Sequence, residues 1–279
     1  MRCRLCEANV AQWADRGDIA LFRCARCCFV SGEPRLQLTP ENRYQNYYHS
    51  ASPPAPETRY SEWLATAERV VGCGRLLEVG AGTGGFVNVA LSRGWKVDAT
   101  EVSQTALRVL RTTNATVSAG DVTSAGYADA QFDLVVSVEV VEHLPAPLSH
   151  LRELSRITRP GGLLLLTTPN FNGLSRHLLG IRWRVVDPEH LGYFTPLTVS
   201  RLLREVGYQW VQVTSRSLDV LSWRRGIGPS GAARFDQHAS ARLRDAVEGS
   251  KVLRLGKALL NGALQITNLG DSLLVWARR

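Results

Sequence analysis

Arg75-Leu-Leu-Glu78-Val-Gly80-Ala81-Gly82-Thr-Gly84-Gly85 is the stretch that decides the fold. A short apolar run of strand length ends in four glycines, and Phe86 to Arg93 then reads as a helix. Glycine belongs at such a junction because the backbone must turn sharply and let a ligand approach with no Cβ in the way. The loop satisfies Gly-x-Gly-x-x-Gly, so a dinucleotide cofactor has to be weighed first.

Outward from that loop, strands and helices alternate. Lys96 to Val102 is a strand, Gln104 to Arg111 a helix, Ala115 to Ala119 a third strand, and Phe132 to Val138 a fourth, continuously apolar as in a buried parallel sheet. A helix over Pro147 to Thr158 precedes a turn at Pro160-Gly161-Gly162 and a fifth strand at Leu163 to Thr168. Pro196 to Val206 is a helix, Gln209 to Ser215 a sixth strand and Ser272 to Ala277 a seventh. The alternation implies an α/β fold with a doubly wound, mostly parallel sheet. Upstream, Tyr60, Trp63, Leu64, Ala67 and Val70 are spaced as one face of a helix over Glu57 to Val71. Between the last two strands, residues 219–270 form an insertion whose second half, Ala239 to Ile266, is a basic amphipathic helix that covers the core or a partner, with a membrane surface as the alternative.

Two carboxylates separate the cofactor readings. Glu101 ends the second strand 21 residues after Gly80, where it can accept from both ribose hydroxyls of either cofactor. Glu78 puts a negative charge just before the loop; it would repel a pyrophosphate and favour the cationic amino group of S-adenosylmethionine. The segment from Leu76 to Gly84 resembles the first motif of class I methyltransferases. Gly120-Asp121-Val122 is similar to the segment after their third strand, Phe132 to Leu144 to their fourth-strand motif, and Arg159 to Asn170 to the motif around their fifth strand. This resemblance implies a seven-stranded Rossmann-like sheet whose last strand runs antiparallel. It also implies an S-adenosylmethionine site at Glu78, Gly80, Ala81, Gly82, Gly84, Glu101, Val102, Asp121, Val122 and Ser137, with Asp121 near the adenine amino group.

Methyl transfer is an in-line displacement with an excellent leaving group, so the protein has chiefly to orient the nucleophile and take its proton. His143 and His190 are the candidate catalytic residues: His143 follows the fourth strand, on the side of the sheet where the acceptor belongs, and the resemblance implies the same side for His190 in the loop after the fifth strand. Glu139, Glu142 and His143, spaced i, i+3 and i+4, share one face if the turn is helical. With His190 they make a mixed oxygen and nitrogen set suited to a divalent ion such as Mg²⁺ or Mn²⁺. The pattern resembles ubiquinone-pathway O-methyltransferases and small-RNA 2′-O-methyltransferases, which implies an acceptor with neighbouring oxygens, a vicinal diol or a catechol. The alternative is that Glu142 and His143 only cap and pack the turn, with His143 a general base.

Cysteine usage defines a second unit. Five of the six cysteines fall in the first 28 residues. Cys3-x-x-Cys6 and Cys24-x-x-Cys27 are separated by seventeen residues, the arrangement of a four-sulfur structural zinc ribbon. Cys28 is a bystander, Cys73 a small buried residue, and Trp13, Phe22 and Phe29 can form the ribbon's core. The chain therefore divides into a zinc-ribbon-like module (residues 1–34), a linker and helix start (35–62) and a catalytic domain (63–279). The linker, counted by composition from Ser31 to Pro56, carries the aromatic run Tyr44 to Tyr48.

A net charge of +8, carried almost wholly by arginine, favours anionic partners without choosing among them. No apolar run approaches the roughly 20 residues of a membrane span, and no secretory h-region opens the chain, so the cytoplasm is the expected location. Three function classes are compatible. The favoured one is O-methylation of a small molecule such as a sugar, glycolipid or secondary metabolite. An RNA methyltransferase gripping phosphates with ribbon and arginines is the second, and a non-catalytic binding module that kept the fold the third. A zinc module ahead of this domain also resembles some sugar C-methyltransferases.

Overall fold

The computed structural model describes residues 1–35, 57–218, 260 and 262–279. The chain opens with three short antiparallel strands, β1 (Val10–Asp15), β2 (Ile19–Cys24) and β3 (Val30–Pro34). Helix α1 (Glu57–Val71) leads into the alternating part: β4 (Arg75–Val79), α2 (Gly85–Ser92), β5 (Lys96–Glu101), α3 (Gln104–Leu110), β6 (Thr116–Ala119) and β7 (Phe132–Val138). After these come α4 (Pro147–Ile157), β8 (Thr158–Pro169), α5 (Leu174–Leu179), β9 (Gly192–Tyr193), α6 (Pro196–Glu205), β10 (Trp210–Arg216) and β11 (Ser272–Arg278).

Seven strands form the main sheet in the order β10-β11-β8-β7-β4-β5-β6. β4 to β8 run parallel, while β11 is inserted antiparallel between β8 and β10. The fold and the antiparallel last strand are those expected from the sequence. Alternate residues of the central strands serve opposite faces. Leu164 and Leu166 join Leu77, Val135, Leu151 and Leu203 on one side, whereas Leu163 and Leu165 join Leu76, Leu134, Trp63 and Phe86 on the other. Local chemistry fixes the helix starts: the Ser103 hydroxyl accepts from the Ala106 N–H in α3, and Thr195 and Thr198 form a capping box ahead of Pro196 in α6.

Several local readings are corrected. Pro160-Gly161-Gly162 is not a turn but the irregular opening of β8, where the register against β7 shifts and Gly161 takes φ +78°. Ser31 to Pro34 belong to β3 rather than to a linker. Cys73 is exposed, as is Val70 on the outer face of α1. In the ribbon Phe29 is fully buried, but Trp13 keeps 38% of its surface exposed. The tyrosine run at 44–48 lies outside the described residues, as does most of the segment 219–270, of which 262–267 are helical. No helix among the described residues is long and apolar enough to cross a membrane.

One connection has no signature in the sequence. The two-residue strand β9, from the loop after β8, completes the N-terminal sheet in the order β1-β2-β3-β9. The Gly32 N–H donates to the Leu191 carbonyl at 3.1 Å. Gly32 has to lack a side chain: a Cβ there would come within 2.7 Å of the His190 carbonyl oxygen and of Ile19 Cδ1. Ile19, Leu21 and Val30 pack with Phe171, Trp183, Val186 and Tyr193, and Phe29 stacks on Phe194 at 5.2 Å. Gly32→Ala is expected to open this junction selectively, at a cost of about 1–3 kcal/mol for overpacking. In hydrogen exchange the amides of residues 32 and 191 should exchange about tenfold or more faster, with β7 and β8 unchanged. Uniform protection in the variant would show that the junction does not depend on Gly32.

Candidate active site

The glycine loop leaves β4 with Gly80, Gly82 and Gly84 at φ +70°, +55° and +85°, conformations that disfavour any side chain. A Cβ on Gly80 would also stand 2.6 Å from Val140 Cγ2. The Glu101 carboxylate at the end of β5 accepts from the Gly82, Val102 and Ser103 amides at 2.7, 2.9 and 2.7 Å, which fixes it beside the loop. Ala81 is buried and donates from its amide to the Thr100 carbonyl. Asp121 accepts from the Thr123 N–H and starts a short 3-10 turn whose Val122 is buried, while Val102 is exposed. Ser137, near the end of β7, is fully buried with no hydrogen-bond partner for Oγ among the described residues. All of these residues lie at or just beyond the carboxyl ends of β4 to β7, where a ligand binds in an open parallel sheet.

Glu78 is buried beneath the loop, and its Oε2 has no partner among the described residues. Burial first, and the nearby Glu101 charge second, push its carboxyl well above the usual range, although the Val87 amide pulls the other way. Two carboxyls around a glycine cradle, one of them with an oxygen lacking a partner among the described residues, fit a ligand that brings ribose hydroxyls and a cationic ammonium.

A second group lies past β7 and β8. Val141–His143 is a 3-10 turn, not an α-helical one, and Glu139 precedes it at φ +53° with an exposed side chain. The expected shared face therefore does not form. Ligand atoms of Glu142, His143 and His190 lie within 4.8 Å of one another, and Glu139 is not among them. Glu142 is buried; its Oε2 accepts from the Thr168 hydroxyl at 3.0 Å, and Oε1 has no partner among the described residues. Burial, then the charge of Glu139, raise the Glu142 carboxyl well above the ordinary range. The rings of His143 and His190 are 4.6 Å apart. Nδ1 of His143 meets the Glu189 carbonyl at 3.1 Å, and Nδ1 of His190 meets the Val185 carbonyl at 2.6 Å, with Asp187 Oδ2 at 3.5 Å. A carbonyl only accepts, so each neutral ring carries its proton on Nδ1 and its lone pair on Nε2. One buried carboxylate oxygen beside two such imidazoles is a donor set that suits a divalent cation.

In the ribbon, Cys3, Cys6, Cys24 and Cys27 place their sulfurs within 4.8 Å of one another, with Cys3 to Cys27 and Cys6 to Cys24 each at 3.5 Å. A tetrahedral zinc site with bonds of about 2.3 Å needs sulfurs roughly 3.8 Å apart, so the four residues fit. Cys28 is exposed at φ +60° and stands outside the group. The ribbon also reaches the histidine loop directly: Arg16 donates to the Val186 carbonyl, and Arg4 to the Pro145 carbonyl at 3.4 Å. The Leu191 N–H donates to the Glu142 carbonyl at 2.8 Å. Sequence reasoning missed Thr168, Val185, Asp187 and Glu189, the groups that orient the cluster. Three of the contacts they make to Glu142 and the histidines come from a hydroxyl or backbone carbonyls and leave no residue-type signal.

The state of Glu78 gives a direct test. An ammonium placed against a carboxyl that burial holds towards the neutral acid should favour release of its proton. S-adenosylmethionine binding is therefore expected to release up to one proton, read by calorimetry in buffers of different ionisation heat. Glu78→Gln should abolish the release and weaken binding about tenfold or more, as for a lost charge-assisted hydrogen bond. Equal proton counts in both proteins would remove Glu78 from the ligand.

Comparison with known proteins matches this geometry. The family described as "methyltransferase domain" matches residues 41–213. A malonyl-[acyl-carrier protein] O-methyltransferase of Serratia marcescens is 35% identical over 58% of this chain and 68% of its own length. A ubiquinone biosynthesis O-methyltransferase of Ruegeria pomeroyi is 32% identical over 55% of this chain and 67% of its own. The crystal structure of an S-adenosylmethionine-dependent methyltransferase from Archaeoglobus fulgidus superposes with a TM-score of 0.58, covering 85% of this chain and 100% of that one at 16% identity, a likeness of fold. The chain belongs to the methyltransferase-domain family and is an S-adenosylmethionine-dependent methyltransferase with the Rossmann-like fold.

Proposed function

We propose that this enzyme methylates an oxygen of a small-molecule acceptor, and that Glu142, His143 and His190 form the acceptor side of its active site. The observation that carries the reading is the pair of imidazoles, both with Nδ1 on a backbone carbonyl, grouped with the buried carboxyl of Glu142. The relatives named above are O-methyltransferases of a malonyl carrier and of the ubiquinone pathway, which supports oxygen as the nucleophile.

Glu78, Gly80, Ala81, Gly82, Gly84, Glu101, Val102, Asp121, Val122 and Ser137 would hold S-adenosylmethionine. When bound it supplies a methyl group on a sulfonium whose departure needs no acid. What remains for the protein is to orient the acceptor hydroxyl and accept its proton, at Nε2 of His143 or His190. In an alternative use of the same Nε2 atoms, Glu142, His143 and His190 would hold a divalent ion such as Mg²⁺ or Mn²⁺ instead of accepting the proton. Such an ion would supply Lewis-acid chemistry that lowers the pKa of a bound hydroxyl, and would suit an acceptor with adjacent oxygens. Cys3, Cys6, Cys24 and Cys27 would hold a structural Zn²⁺.

A catechol assayed with S-adenosylmethionine, with and without Mn²⁺, tests this. His190→Ala should lower kcat about 100-fold or more, the range for a lost general base, while calorimetry shows the S-adenosylmethionine affinity kept. Glu142→Gln should lose the response to Mn²⁺ yet fold well. A carboxyl raised in the folded state stabilises the fold at low pH and loses that contribution as the pH rises through its folded pKa. In the metal-free protein the Tm of Glu142→Gln should therefore gain on wild type as the pH rises from acid towards neutral. Full activity in His190→Ala would contradict the assignment.

A further inference from the structure

The face of β2 that carries Ile19 and Leu21 into the junction ends, two residues on, at Arg23. Ile19 and Leu21 are buried there, whereas Arg23 is exposed. Across the junction Arg176, on α5, lays its guanidinium over the rings of Trp13 at 5.0 Å and Phe171 at 4.8 Å. These two rings meet edge to face at 5.8 Å. Nε of Arg176 is buried and has no hydrogen-bond partner among the described residues.

The charges are unbalanced in an informative way. Within the ribbon Asp15 is taken by Arg35, Asp18 by Arg16 and Glu33 by Arg4. Among the described residues neither Arg23 nor Arg176 has a carboxylate partner. Burial first, and the charge of Arg23 second, lower the Arg176 pKa. Two guanidinium groups at the junction, one of them partly desolvated over aromatic rings, are left without a counter-ion unless an anion joins them. Guanidinium forks match phosphate oxygens in charge and geometry.

We propose that Arg23 and Arg176, with Trp13 as one wall, bind a phosphate or pyrophosphate group carried by the acceptor. This deepens the function proposed above and rests on it. The site is joined to the histidine cluster by touching groups: Phe171 packs on Tyr193 at 4.9 Å, the Tyr193 hydroxyl donates to the Asp187 carbonyl, and Asp187 pairs with His190. Through these contacts, with Phe171 and Tyr193 buried, the phosphate site and the histidine cluster are held in one fixed arrangement. The ribbon would then be part of the substrate site.

Calorimetric titration of pyrophosphate into the full-length, zinc-loaded protein is the test. The expected result is salt-sensitive binding, weakened about tenfold in Arg23→Gln and in Arg176→Gln. Arg23→Glu should abolish the binding and raise the Tm, because it gives Arg176 the missing anion. Parallel titrations with a nucleoside diphosphate and with 4′-phosphopantetheine distinguish a nucleotide-linked from a carrier-linked acceptor, and tighter binding of either supports the site. Equal pyrophosphate affinity in wild type and both glutamine variants overturns the proposal. So does binding of single-stranded RNA that pyrophosphate does not displace. If pyrophosphate fails to bind while S-adenosylmethionine binds and the catechol is methylated, this inference alone is lost. If S-adenosylmethionine does not bind, the underlying reading fails first.

Discussion

The backbone of Leu191 is bonded in two directions at once. Its N–H donates to the Glu142 carbonyl in the turn after β7, and its carbonyl accepts from the Gly32 N–H in the ribbon. Neighbouring His190 is held by the same arrangement, since its own carbonyl lies where a Gly32 side chain would stand. A backbone hydrogen bond is worth only about 1 kcal/mol net. These two nevertheless decide which groups face each other, because they join the end of β7, the loop after β8 and β3 in a single register. The Glu142, His143 and His190 group exists only while that register holds.

Burial of charge is the second constraint. Glu78 and Glu142 are both sunk under loops at the carboxyl ends of the sheet, each with one oxygen lacking a partner among the described residues. Isolated buried carboxylates are too costly to stay ionised, so both are held towards the neutral acid. Each would regain its charge only next to a cation, an ammonium at Glu78 and a divalent ion at Glu142. The fold thus keeps two buried carboxyls, Glu78 and Glu142, in a state that a positively charged ligand would relieve.

How far the sequence could be read follows from what each feature depends on. The seven-stranded sheet was legible because strand and helix periods are local, and because glycines at Gly80, Gly82 and Gly84 answer a backbone need that only glycine meets cheaply. The four cysteines were legible because knuckle spacing is itself a geometric statement. His143 and His190 were legible as a pair only through family resemblance, since 47 positions separate them. The i, i+3, i+4 argument that put Glu139 on a shared face presumes an α-turn, whereas Glu139 adopts positive φ before a 3-10 turn and acts on Glu142 from outside the group of ligand atoms. The pairing of β3 with β9 was not legible at all. Two residues, Gly192 and Tyr193, are too few to show a period, and Leu191 acts through its backbone, which every residue shares.

The ribbon and the histidine loop are held together as one structural unit, and NMR of the His143 and His190 imidazoles tests that most directly. Their side-chain signals would be recorded with the four ribbon cysteines zinc-loaded and again after chelation, with S-adenosylmethionine affinity measured on the same samples. Stripping zinc is expected to shift or broaden both imidazole signals while S-adenosylmethionine still binds through the glycine loop. Imidazole signals that do not move when the zinc is removed would contradict it.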